Sequence, residues 1–429
     1  MTHKSIKSHR HYDKAMHWGK LISITGSAQI IVQAVGFLSG ILVIRLLPVE
    51  EYALYTLANT MLGTMTILAD GGISTGVMAQ GGKVWQDREK LGAVLATGLD
   101  LRRKFAIGSL VVSIPILAYL LLQHGASWIT VTLIVISLIP AFYAALSDSL
   151  LEIVPKLHQD ILPLQKNQVG VGLGRLALTG LTIFIFPFTY VAVLASGIPR
   201  IGGNIQLRKI ANKFVDNNQT TDLDIRNNIL LIVKKALPSV AYYCLSGQIS
   251  IWILSVFGNT KSIAEIGALG RLSMFIGLFS VVFSTLVVPR FARQKDNFET
   301  LISYYSKALV IVLIISIFII IFTYIFSANL LWIIGDNYKS LNFELLLVLL
   351  NSCLSLVMSI GLSLYLSRGW VLSPIITILV SLLSIVGGCL YFDLSNLREV
   401  LWLNVFTASI QMLLHVGFGY YKIYNIQKV

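Results

Sequence analysis

Apolar runs of roughly twenty residues, long enough to cross a bilayer as a helix, recur along the whole of this chain. Twelve can be placed. The first six are Leu21–Leu46, Tyr52–Gln80, Phe105–Leu122, Trp128–Leu151, Val169–Phe186 and Tyr190–Gln206. The second six are Ala236–Phe257, Ile263–Val288, Ala308–Phe326, Phe343–Leu366, Trp370–Phe392 and Val400–Tyr421. None has the alternating rhythm of a barrel strand, so the fold is predicted to be all-α and polytopic. Only 12% of the residues are charged and the mean hydropathy is +0.77. A soluble domain carries about 25%, which leaves little material outside the spans.

The net charge of +13 raises the question of an anionic partner, and its distribution answers it. Of the 33 basic residues, 26 fall in alternate inter-span segments. These include the N-terminal stretch, Arg102-Arg103-Lys104, and the linker residues Arg208, Lys209 and Lys213. The opposite loops hold four, Arg45, Lys261, Lys339 and Arg398, and three lie inside spans, Arg175, Arg200 and Arg271. Positive segments stay in the cytoplasm. The N- and C-termini are therefore expected there, the charge serves orientation, and no nucleic-acid partner is implied. No cleavage site follows the first apolar run, which is expected to be a retained helix. Cys244, Cys353 and Cys389 sit in apolar stretches without metal spacing and are expected to be small core residues. No cofactor or metal is expected.

The longest polar stretch, Arg208–Asn228, halves the chain. It predicts an N-terminal lobe (1–207, helices 1–6), a cytoplasmic linker (208–235) and a C-terminal lobe (236–429, helices 7–12). A faint echo joins the halves. Placing Glu51 over Glu265, about 214 positions on, aligns EYALYTLANTMLG with EIGALGRLSMFIG. Six spans per half make the repeat parallel, related by a pseudo-twofold along the membrane normal, with a substrate cavity expected at the interface between halves.

Three segments carry a family likeness. RLLPVEEYALYTLANTMLG, ADGGISTGVMAQ and IAEIGALGRLSMFIGLFSVVFSTLVVPRFAR resemble stretches of the Wzx-type O-antigen and polysaccharide flippases. That family belongs to the multidrug/oligosaccharidyl-lipid/polysaccharide (MOP) exporter superfamily. The chain departs from the pattern in lacking the glycine before Pro48, and in placing Ala268 or Leu269 where the eighth-helix motif has tyrosine. The resemblance implies a V-shaped, two-lobed transporter with a central cavity, not an enzyme. It would move an oligosaccharide linked to undecaprenyl diphosphate across the bacterial inner (plasma) membrane by alternating access, for O-antigen, capsule or exopolysaccharide synthesis. The implied energy source is an H+ or Na+ gradient. The implied partners are membrane lipids and, around a monomer, a polysaccharide polymerase and a chain-length regulator. Two other functions stand beside it: a multidrug or small-cation antiporter of the same superfamily, and a membrane polymerase or acyltransferase. No Walker A, HExxH or GxSxG motif occurs, which disfavours an ATP-driven pump and a hydrolase.

The charged residues inside spans are the candidate site, because a buried charge in hydrocarbon is costly unless it faces protein or water. Arg175, Arg200 and Arg271 are candidates for binding a diphosphate or acidic sugar, or for snorkelling to headgroups. Arg45, at the end of the first span, is an interfacial anchor or a fourth substrate contact. Asp70, followed at once by Gly71-Gly72, and Glu265 are candidates for ion coupling. Asp148 and Glu152 are expected at the headgroups, His415 as a hydrogen-bonded core residue, and VGVGLG (169–174) as a close helix-packing face.

Overall fold

The computed structural model describes residues 27, 30–288, 291, 294, 297–368, 370 and 372–426, excepting some side chains within helices, Cys244 among them. The basic N-terminal stretch and the opening of the first expected span lie outside them. Within hydrocarbon each backbone N–H and C=O must find its partner inside the segment, and the described residues are helical almost throughout.

The first helices are α1 (Ile30–Leu46), α2 (Val49–Asp70), α3 (Ile73–Val84), α4 (Arg88–Gln123), α5 (Trp128–Leu151) and α6 (Ile153–Leu157). Next come α7 (Ile161–Ile185), α8 (Thr189–Ala211), α9 (Leu223–Ser246), α10 (Ile249–Phe257), α11 (Thr260–Ser273) and α12 (Ile276–Leu286). The last are α13 (Phe298–Ile334), α14 (Asn342–Leu366), α15 (Pro374–Tyr391) and α16 (Leu397–Ile426). Each expected span coincides with one helix or a consecutive pair. Eight helices among the described residues are long and apolar enough to cross a membrane. The second and seventh expected spans are split at Gly71-Gly72 and at 247–248. The sixth is diluted by Pro199-Arg200 and Gly202-Gly203.

The chain forms two compact units that part between Cys244 and Leu245, with one exception. Leu47–Leu57, which includes the opening of α2, belongs to the second unit. In the first unit α5 packs on α8, α8 on α7, and α4 on α5 and α3. Ile73, Val77, Leu91, Leu150, Ile153, Leu207 and Ile229 form its buried core. In the second unit α14 is central and packs on α13, α16 and α12. Outward faces are apolar: Phe184, Leu390 and Tyr391 are at least 80% exposed, the pattern of a surface whose solvent is lipid.

Two local features set the positions of charged side chains in the first unit. Gly71 and Gly72 take left-handed φ of 51° and 96°, which glycine alone adopts freely. The Asp70 carboxylate bridges the break, accepting from the backbone N–H of Gly72 (3.3 Å) and Ser74 (3.2 Å). Secondly, α4 starts at Arg88, capped by Asp87, whose carboxylate accepts from the N–H groups of Glu89 and Lys90. This corrects the sequence expectation that Arg102-Arg103-Lys104 lie in a loop. The helix runs on below the apolar stretch because Leu91, Val94, Leu95 and Leu101 pack on protein.

Candidate functional site

A cavity of about 500 Å³ lies within the first unit, walled by α1, α2, α5, α7 and α8. The small residues of α7 let the walls close up. A Cβ on Gly172 would stand 3.4 Å from Val35, and one on Gly174 3.3 Å from Pro199, so the VGVGLG stretch packs helices as expected.

Charged side chains from three walls meet in this cavity, and most are already committed. Asp148 of α5 accepts from Arg200 Nε of α8 at 3.2 Å and from Asn204 Nδ2 at 2.6 Å. Arg208 Nε in turn donates to Asn204 Oδ1 at 3.0 Å. Glu152, one turn beyond Asp148, accepts from Lys156 Nζ at 2.7 Å and from Gln168 Nε2 at 3.2 Å. Arg175 of α7 is different. Its Nε is buried and has no partner among the described residues, although a buried donor left unpaired costs about 1–3 kcal/mol or more. Ser39 Oγ and Asn167 Oδ1, also lining the cavity, are likewise buried without a partner. Both carboxylates are matched by cations and one guanidinium is left over. The cavity therefore favours an anion, with a hydroxyl and an amide oxygen free to bind polar groups beside it.

The structure brings Arg175 and Arg200 together and distributes the other candidates elsewhere. Asp70 pairs with Arg102 Nη1 at 3.2 Å and with the Ser74 hydroxyl. Arg102 Nη1 also donates to the Ser149 hydroxyl. Arg45 is exposed at the end of α1. Arg271 and Glu265 lie on α11 in the second unit. Arg271 hydrogen-bonds Tyr52 and Tyr55 rather than Glu265. Glu265 is buried, faces Lys261 at 3.8 Å, and lines a cavity of about 620 Å³ with Glu50, Asn259 and Tyr338. Burial raises the Tyr338 hydroxyl above the ordinary phenol range. His415 is a buried core residue, its Nδ1 2.8 Å from the Tyr365 hydroxyl.

Asp148 and Glu152, expected at the headgroups, line the cavity, because the end of α5 that carries them turns toward α8 and α7. Their i, i+4 spacing, which puts both on one helix face, was the available signal. Arg102 was missed altogether. Among the described residues no three His, Cys, Asp or Glu side chains cluster as a metal site.

These features define a class: an all-helical, polytopic membrane protein of two compact units, one enclosing a polar cavity with a surplus cation. The sequence matches no family model and no curated protein, but the backbone has close structural counterparts. One is a multidrug resistance MATE family transporter of the MOP superfamily in its inward-facing conformation. It has a TM-score of 0.66 and 14% identity, over 92% of this chain and 96% of that one. The outward-facing conformation of such a transporter matches with a TM-score of 0.65 and 16% identity, over 96% and 97%. A MATE structure in complex with MaD3S matches at 0.64 and 15%, over 96% and 97%. The chain is thus similar along its length to MOP-superfamily transporters and has their fold.

Proposed function

We propose that this protein is a transporter that moves an anionic, lipid-linked oligosaccharide, carried on undecaprenyl diphosphate, across the bacterial inner membrane by alternating access. The observation that carries the proposal is the Arg175 guanidinium, whose Nε is buried and unpartnered in a cavity whose two carboxylates are already matched. A phosphate oxygen supplies the missing acceptor, and guanidinium binds phosphate in a planar, bidentate manner. The free Asn167 Oδ1 and Ser39 Oγ suit sugar hydroxyls. Asp70, paired with Arg102 in the first unit, and Glu265 in the second are the groups at which a coupling ion, H+ or Na+, would act.

The test is Arg175→Gln in cells deleted for the native gene. Surface polysaccharide is expected to fall at least about tenfold, the effect of losing one charged hydrogen bond to substrate, with unchanged protein in the membrane fraction. Unchanged polysaccharide would overturn the proposal. A multidrug antiporter is the second reading, favoured by the fold likeness to multidrug resistance transporters. It predicts that drug tolerance in an efflux-deficient host depends on Asp148 and Glu152 and survives loss of Arg175.

A further inference from the structure

Beside the cavity, on the other side of the Asn204 hydrogen bonds, α4, α5 and α8 of the first unit form a second, smaller cleft. Its volume is about 40 Å³, room for roughly three water-sized groups. Arg102, Arg103, Tyr143, Ser147 and Arg208 line it, and no carboxylate does. Arg208 is held by neutral partners, Asn204 Oδ1 at 3.0 Å and Ser147 Oγ at 3.3 Å. Arg102 is 2% exposed, and its Nε, unlike its Nη1, has no partner. Arg103 is exposed and makes no hydrogen bond or ion pair with any described residue. Three guanidinium groups thus share one small cleft, and no carboxylate contacts Arg103 or Arg208 directly, although Asp70, paired with Arg102, and Asp148 nearby offset part of their charge.

Depth decides what such a cleft faces. At about 1.5 Å per residue, Arg103 stands some 30 Å from Gln123, the far end of α4. By the same rise, Arg208 stands about 28 Å from Thr189, and Ser147 about 28 Å from Trp128. Three helices therefore bring these residues to nearly the same level, about one hydrocarbon thickness from the ends that the basic-residue count assigns to the outside. From this cleft two exposed apolar stripes lead back across the span. They are Ile107 and Val111 on α4, and Ile139 and Ile136 on α5. Arg103, Ile107 and Val111 share one face at i, i+4 and i+8.

We propose that this cleft binds the phosphate of an anionic phospholipid in the cytoplasmic leaflet. The phosphate oxygens would lie between Arg103 and Arg208 with Arg102 Nε behind them, the Tyr143 hydroxyl at the glycerol level, and the acyl chains along the two stripes. Basic pockets between spans on the cytoplasmic side take such headgroups.

The experiment uses the full-length protein, exchanged into mixed micelles of equal phosphatidylglycerol and phosphatidylcholine, with the lipid retained after gel filtration quantified. The wild-type protein is expected to retain phosphatidylglycerol preferentially. Arg103→Gln is expected to cut that preference about fivefold, the contribution of one arginine near a lipid phosphate, and it leaves the fold intact because Arg103 supports no other contact. Arg208→Gln should do the same. Lys104→Gln is the control. It removes one positive charge on the same turn, but from a residue paired with Asp100 at 2.6 Å and outside the cleft, and it should leave the preference unchanged. Three outcomes overturn the proposal: no preference in the wild type, an equal loss in Lys104→Gln and Arg103→Gln, or displacement of the lipid by inorganic phosphate at tens of millimolar, which would make the ligand a free anion.

Discussion

The second span of each half begins alike and then goes its own way. At the start the two copies lie against each other. A Cβ on Gly267 of α11 would fall 2.5 Å from Thr56 Oγ1 of α2, so the approach needs a glycine. Both helices then break, at different places and by different chemistry. The first break comes at Gly71-Gly72, with left-handed backbone and a carboxylate over it. The second comes at Met274-Phe275, with ordinary right-handed angles at both residues. The charge beside it is a guanidinium, Arg271, held by Tyr52 and Tyr55. The echo preserves the surface on which the copies meet. It does not preserve the break, where one copy relies on glycine conformation and an ion pair and the other on hydrogen bonds to neutral hydroxyls.

That contrast orders the expected effects. The largest belongs to the ion pair at the first break. Arg102 has a side chain 3% exposed and Asp70 one 24% exposed, so removing the acid strands a buried cation. Asp70→Ala is expected to cost about 3–5 kcal/mol, read as a fall in the thermal unfolding midpoint in detergent. Adding Arg102→Met should restore most of the loss, since replacing both partners of a buried pair is often close to neutral. A double variant as unstable as the single would show that the pair is not what holds this break. Next comes Arg271→Gln, which exchanges a charged donor to Tyr52 and Tyr55 for a neutral one. A loss of about 2 kcal/mol is expected by the same measurement.

The glycine difference gives a smaller effect. Gly72→Ala puts a Cβ on a residue at φ 96° and should cost about 1–2 kcal/mol. Ser273→Ala, beside the right-handed break, should change stability by no more than about 0.5 kcal/mol. Equal losses at the two positions would erase the distinction between the breaks.

The same physics governs what could be read in advance. Helices across the spans were legible because hydrocarbon leaves the backbone no alternative. Arg175 was legible because a cation in a span must face something other than lipid. The ends of α4 were not. Residues 88–104 are helical because Leu91, Val94 and Leu101 pack on protein, and the apolar run there, LGAVLATGL at 91–99, is too short to be read as a span. The partner of Asp70 is 32 positions away on another helix, and only tertiary packing turns Arg102 toward it. Asp148 looked interfacial because it lies near the end of its apolar run. Its burial depends on which way that end of α5 faces, a fact carried by α7 and α8.

The smallest expected effect tests whether the two halves differ even where their helices are most alike. The long helices α4 and α13 each come after a second span, and each is capped by a side-chain oxygen. Asp87 accepts from the N–H groups of Glu89 and Lys90, and Asn297 from that of Glu299. Only the first cap titrates. The Lys90 backbone N–H, then its side chain, holds the Asp87 carboxyl below its ordinary value of 3.8. The folded state thus favours the ionised form, and its stabilising contribution is complete above the unfolded-state value and is lost as pH falls through the folded one. Asparagine caps nearly as well as aspartate, so Asp87→Asn isolates the charge. The unfolding midpoint of the wild type should exceed that of Asp87→Asn by a small constant margin from about pH 7 to pH 5, and the margin should close below about pH 4. Asn297→Asp should create the same pH-dependent margin in the other half. If Asp87→Asn shows no pH-dependent difference, the charge at this cap is inert, and the two long helices are equivalent at their starts.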